Sequence, residues 1–192
     1  MNIEDLSLPG VKLITPRVFG DDRGFFMETF KQSALAEAGI DVDFVQDNHS
    51  RSSETGTVRG LHYQAPPFAQ SKLVRVVRGS ILDVAVDARR GSPHYGQSVA
   101  VELSAANFQQ LFVPQGFLHG FITLEPETEV VYKVDNYYSA AHDGSVRWDD
   151  PALGIDWGEA AASPVLSAKD QAAPLFSEFD NPFEYAPASE IA

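Results

Sequence analysis

The chain has 192 residues, a formal net charge of −13 and no cysteine, with 44% apolar and 21% charged residues. This excludes wholesale disorder, a disulfide framework and any thiolate chemistry. The acidity argues against nucleic acid or an anionic membrane as a partner.

No run of ~18 apolar residues offers a membrane span. Met1-Asn2-Ile3-Glu4-Asp5 is acidic where a secretory signal is basic and then apolar. The expectation is a cytoplasmic protein with one domain over residues 1–192.

In chain order, Lys31–Ala38 reads as a short helix stopped by Gly39. Arg59–Gln64 is strand-like and contains Gly60. Lys72–Arg78 is β-rich and stops at Gly79-Ser80, and Ile81–Asp87 follows, ending before the Arg89-Arg90-Gly91-Ser92-Pro93 turn. Gln97–Leu103, Gln110–Val113, Gly116–Leu124 and Glu129–Asn136 each carry Val, Phe or Tyr between turn residues. A turn is expected at Ala105–Phe108 and a short helix over Lys169–Phe179, the latter interrupted at Pro174. The acidic tail after Asp180 reads as a surface segment or an irregular strap. Many short strands at this spacing predict an all-β sandwich or barrel with a few short peripheral helices.

Charge is unevenly spread. Residues 51–90 carry a net of +4, whereas residues 149–192 carry −8. A basic centre in an acidic chain suits a pocket for a phosphate-bearing anion; arginines paired with surface carboxylates would produce the same count.

Of the five histidines, His49, His62, His94, His119 and His142, two lie in strand-like segments with glycine. Pro114-Gln-Gly-Phe-Leu-His119-Gly resembles the second signature of the cupin superfamily, whose fold is the double-stranded β-helix or jelly roll. Metal-binding cupins present His-x-His and a Glu in the first signature. Here Gln64 stands where the second His would be, so a facial site lacks a third ligand and no metal is expected. A metal-free His on an inward strand face is either a proton-transfer group or a hydrogen-bonded core residue. Strict alternation puts Arg59 and His62 on opposite faces. Both reach one pocket only if the strand is irregular, and Gly60 is where a bulge is cheap.

A longer series of motifs runs from about residue 4 to 185: Asp22-Arg23-Gly24-Phe25-Phe26-Met27-Glu28, Gln46-Asp47-Asn48, Arg59-Gly-Leu-His62-Tyr-Gln64, Lys72-Leu-Val, Gly116-Phe-Leu-His119-Gly-Phe, Tyr132-Lys-Val with Tyr137-Tyr138, Trp148-Asp-Asp-Pro151 and Ser167-Ala-Lys-Asp170. In this order they resemble the dTDP-4-dehydrorhamnose 3,5-epimerase family, homodimeric cupin-fold enzymes that need no metal or cofactor. The resemblance implies epimerisation at C3 and C5 of a dTDP-linked 4-keto-6-deoxyhexose. It implies His62 as base with Asp170 on its other ring nitrogen, Lys72 beside the enolate oxygen and Tyr132 as the acid on the opposite face. Ser167–Asp170 also has capping-box form, so Asp170 has a competing helix-capping role.

By the same resemblance, Arg23, Arg59 and Lys169 contact the diphosphate and hexose. Glu28, Gln46 and Asn48 serve the nucleotide, Tyr138 stacks on base or ribose, and His119 bonds the sugar. Asp143 replaces the family's usual Glu and is one methylene shorter. Two other readings are compatible with these motifs: a single-site epimerase or ketoisomerase, and a non-catalytic sugar-binding cupin.

Overall fold

The computed structural model describes residues 1–186. The N-terminal part runs β1 (Asn2–Asp5), β2 (Lys12–Thr15), β3 (Val18–Asp21), β4 (Gly24–Met27), α1 (Gln32–Glu37) and β5 (Gln46–Ser52). Then come β6 (Val58–Gln64), β7 (Lys72–Arg78), β8 (Ser80–Asp87), β9 (Ser98–Ser104) and β10 (Gln110–Val113). The chain closes with β11 (Phe117–Thr123), β12 (Thr128–Val134), β13 (Asp143–Ser145) and α2 (Ala168–Gln171).

Two antiparallel sheets face each other, ordered β1-β2-β10-β7-β12-β5 and β13-β6-β11-β8-β9. This is the expected jelly roll. Alternation along each strand sends one set of side chains between the sheets and the other outward. Val74, Val76, Leu111 and Val130 of the first sheet meet Ile81, Ala85, Leu103 and Phe121 of the second. The outer face of the second sheet is covered as well: Leu61, Val84, Leu118 and Ile122 pack under Trp148, Trp157, Phe179 and Phe183. Strands covered on both faces lose the polar half of their alternation, which is why β11 is buried throughout. The segment around α1 covers part of the first sheet, with Leu35 and Ile40 against Ile14, Leu73 and Phe112.

The strand expectations for β7 to β12 hold to within two residues at each end. β5 was not legible, because Gln-Asp-Asn-His-Ser-Arg-Ser has no apolar face. The helix expected over Lys169–Phe179 is four residues long and starts at Ala168. Pro174 disfavours helical geometry at Ala173 and has no N–H of its own. Downstream, the Phe176 N–H is taken by Asp150 Oδ2 at 2.6 Å and the Pro174 carbonyl by the Arg147 N–H at 2.8 Å. Residues 105–107 form a turn, within the span expected to make one. Residues 181–186 form an irregular strap, with Phe183 buried and Glu184 bridged to Arg90; the rest of the expected tail lies outside the described residues.

The feature that positions the site is in β6. His62 pairs with His119, but Arg59 pairs with Phe121, so β6 spends three residues where β11 spends two. Gly60 is the extra residue, at φ +143°. The skipped position switches the side-chain phase: Val58 and Leu61 join the outer core, while Arg59 and His62 line the same cavity. A Cβ on Gly60 would lie 2.5 Å from Gly120 Cα and 3.0 Å from the His119 carbonyl oxygen. Gly60→Ala should therefore cost on the order of 3 kcal/mol, from a left-handed backbone together with overpacking. Urea unfolding checks this; an unchanged midpoint would mean that β6 can relax to a regular strand.

Candidate active site

A cavity of about 390 Å³ opens between the two sheets. His62 of β6 and His119 of β11 form one wall; Tyr132 of β12, Lys72 of β7 and Ser50 of β5 form the other. Arg59, Phe121, Ser167 and Asp170 also line it. His62 and Tyr132 therefore reach the cavity from opposite sheets.

The His62–Asp170 arrangement follows from α2. Ser167 caps the helix, its Oγ accepting the Asp170 N–H at 3.1 Å. The same hydroxyl donates to Asp170 Oδ2 at 2.8 Å, which leaves Oδ1 for His62 Nε2 at 2.6 Å. Capping and histidine orientation thus use different oxygens, and the two roles do not compete. Burial opposes ionisation of Asp170, but the bonds from His62 and Ser167 outweigh it and hold the carboxyl below its ordinary range. An ionised carboxylate only accepts, so Nε2 carries the hydrogen and Nδ1 keeps the lone pair of a neutral ring.

Tyr132 shares the inner face of β12 with Val130 and Val134, as alternation predicted. Burial pushes its phenol up, so it is a proton donor at neutral pH. Burial likewise pulls Lys72 down to about 8, with Asp83 partly opposing the shift. Burial also lowers His119, again against the attraction of Asp83.

Asp83 was missed as a site residue. It is fully buried, its Oδ1 is 2.7 Å from His119 Nε2, and Oδ2 has no partner among the described residues. The available signal was parity: in Ile81-Leu-Asp-Val-Ala85 the aspartate shares the inward phase of Ile81 and Ala85. An ionisable residue at a core position of an apolar strand marks a functional candidate.

Gln46, Asn48, Tyr138, Asp143 and Lys169 lie outside the cavity lining, on a rim made by β5, the 135–142 segment, β13 and α2. Gln46 Nε2 donates to Asn48 Oδ1 at 2.9 Å, and Gln46 Oε1 accepts the Tyr138 N–H at 3.1 Å. The Tyr138 hydroxyl donates to Asp143 Oδ2 at 3.3 Å, where Lys169 Nζ also donates at 2.5 Å. Lys169 and Asp143, expected to reach the ligand separately, are thus paired with each other. Arg23 and Glu28 do not line the cavity. Arg23 sits on the β3–β4 hairpin with its side chain 90% exposed and bonded to Asp21, and Glu28 follows on the exposed surface.

The basic centre divides between its two readings. Arg51, Arg78, Arg89 and Arg90 pair with Glu127, Glu129, Asp87 and Glu184. Arg59 and Lys72 face the cavity. Ser52 Oγ and the Arg51 carbonyl accept from the Arg59 guanidinium at 3.2 and 3.1 Å and fix its direction.

The family model described as dTDP-4-dehydrorhamnose 3,5-epimerase matches residues 5–178. The chain belongs to that family. It is 52% identical over 185 residues to the dTDP-4-dehydrorhamnose 3,5-epimerase of Sinorhizobium fredii, covering 96% of this chain and 94% of that protein. The crystal structure of the Legionella pneumophila dTDP-6-deoxy-D-glucose-3,5-epimerase in complex with dTDP-4-keto-L-rhamnose superposes with a TM-score of 0.91 at 43% identity, covering 97% of this chain and 99% of that one. A 3'-monoepimerase from Streptomyces bikiniensis, solved with dTDP-quinovose, is more distant at 34% identity and a TM-score of 0.84, covering 90% and 86%.

Lys72 yields a test of this family member. Its drop from 10.5 to about 8 corresponds to a burial cost on the order of 3 kcal/mol at neutral pH. The sign is that of a depressed base. Below pH 8 both states hold the proton and the cost is full. Between about 8 and 10.5 only the unfolded chain holds it, so stability rises with pH. Lys72→Met should therefore raise unfolding free energy at pH 7 by about 1–3 kcal/mol, with the gain shrinking towards pH 10. Urea melts at both pH values check the sign.

Proposed function

We propose that this protein epimerises C3 and C5 of dTDP-4-dehydro-6-deoxy-D-glucose, giving dTDP-4-dehydro-L-rhamnose. The observation that carries the reading is the approach of His62 and Tyr132 to one cavity from opposite sheets. Both carbons are alpha to the C4 ketone, so loss of either proton gives an enolate. Inversion requires that the new proton arrive on the other face.

His62 Nδ1 removes the proton, and Asp170 stabilises the imidazolium that forms. The Lys72 ammonium faces the C4 oxygen as negative charge develops there, an interaction worth about 3–4 kcal/mol for a well-placed donor. The Tyr132 phenol delivers its proton to the opposite face, and solvent restores both groups before the second carbon reacts. His119 bonds the sugar, backed by Asp83. Arg59 takes a diphosphate oxygen, for which a guanidinium fork is well shaped. Gln46, Asn48, Tyr138, Asp143 and Lys169 hold the nucleotide end, with Tyr138 stacked on base or ribose. No resident cofactor enters these steps. Identity near 50% to a 3,5-epimerase, against 34% to a 3'-monoepimerase, favours reaction at both carbons.

In D₂O the native protein should label two carbons of the substrate. His62→Asn should lower labelling and turnover together, by about 10²–10⁴-fold. Tyr132→Phe should keep part of the exchange while suppressing epimerisation. Label at one carbon only would make the protein a single-site enzyme, and no label would remove the activity.

The same reading makes the protein a cytoplasmic homodimer, in which the hairpin supplies Arg23 and Glu28 to the neighbouring subunit's site. Its support is the hairpin itself: among the described residues β3 and β4 pair only with each other, and Phe25 and Phe26 are 60% and 66% exposed. Exposed aromatics in one patch mark an association surface. Phe26→Asp should shift sedimentation from dimer to monomer and raise KM; a dimer unaffected by the change would place the interface elsewhere.

A further inference from the structure

We propose that Gln64 is a positioning residue, clamping the backbone on both sides of Tyr138 and thereby setting how tightly the nucleotide half of the substrate is held. The proposal rests on the dTDP-sugar reading above. Gln64 lies two residues beyond His62 on the inward phase of β6, is 4% exposed and does not line the cavity.

Its amide is fully committed to main chain. Nε2 donates to the Phe68 carbonyl at 2.7 Å and to the Tyr137 carbonyl at 3.2 Å. Oε1 accepts the Ser139 N–H at 2.6 Å. The two donors face carbonyls and the acceptor faces an N–H, which fixes the amide orientation. Residues 135–142 belong to no strand, so no β-ladder holds them. Gln64 supplies the missing partner, bonding the residues before and after Tyr138 as a neighbouring strand would. The Tyr138 N–H goes to Gln46 Oε1, so the peptide groups flanking this tyrosine are held by amide side chains.

The ring needs that support because it has little packing of its own. Tyr138 is 61% exposed, and its one hydrogen bond among the described residues is the 3.3 Å contact to Asp143. A rim aromatic on a loose loop must be ordered when ligand arrives, and that entropy is subtracted from affinity. Held in place beforehand, the ring presents a face at no such cost. Gln64 occupies the position where metal-binding cupins present their second His; here the side chain turns its polar end to the loop and serves binding rather than ligation.

The test uses Gln64→Met, similar in length but without the amide. Thermal melts establish that it folds; Gln64→Asn, which keeps an amide one methylene too short, carries the test if it does not. We expect KM for the dTDP-sugar and the calorimetric Kd for dTDP to rise together, at least 10-fold, with kcat within threefold of native. In a Tyr138→Leu background the same change should add less than twofold, since the clamp then has nothing to position. A fall in kcat at unchanged KM, or effects that multiply in the double variant, would overturn the proposal. If the native protein binds dTDP but labels no carbon of the sugar, the catalytic reading fails and the clamp is judged on dTDP affinity alone. If it binds no dTDP, both fail.

Discussion

Gly60 lies against Gly120 closely enough that a Cβ at either position would stand within about 3 Å of the other strand's backbone, and the residue it adds to β6 reverses the phase of everything after it. With a regular strand, Leu61 would point between the sheets and His62 into the outer core under Trp148 and Trp157. The bulge instead puts Arg59, His62 and Gln64 on the inward side and leaves Val58, Leu61 and Tyr63 to the apolar layer. The bond to Asp170, the opposition to Tyr132 and the reach of Gln64 to the rim loop all depend on that phase.

The second constraint is the cost of polar groups between two sheets. Most of the inter-sheet space is apolar, and its burial stabilises the sandwich. At one end, Lys72, His119, Asp83, His62 and Tyr132 replace it. Each is expensive there unless paired. His62 and His119 are each backed by an aspartate, whereas Lys72 has no hydrogen-bond acceptor among the described residues. Burial keeps the phenol protonated and the second histidine neutral, and lowers the lysine only to about 8, which leaves it an ammonium at neutral pH. The same desolvation that weakens the fold strengthens the field that a ketone oxygen would meet.

The rim works on different terms. Gln46, Asn48, Tyr138, Asp143 and Lys169 are linked by successive hydrogen bonds across β5, the 135–142 segment, β13 and α2. Such a chain sets the spacing of exposed groups without a core beneath them. It also changes the meaning of Asp143: with Lys169 on its Oδ2, the shorter carboxylate acts first on its neighbours, and any ligand contact is made by the pair.

Alternation of apolar residues was enough to read β7 to β12, because strands facing a core carry the pattern that burial imposes. The ordered motifs were enough to name the family, and Gly60 was legible as the place where β6 must bend. Parity alone could also have placed Asp83 inside β8. β5 was hidden, since a strand with one face on a polar cavity and the other in solvent needs no hydrophobic side chain. The partition of Asp170 between Ser167 and His62, the pairing of Lys169 with Asp143 and the commitment of Gln64 to the loop around Tyr138 were decided only by tertiary structure. Each turns on which of two competing partners lies within hydrogen-bonding distance, and residues 75 or 108 positions apart in the chain are brought to that distance by the closure of the sheets.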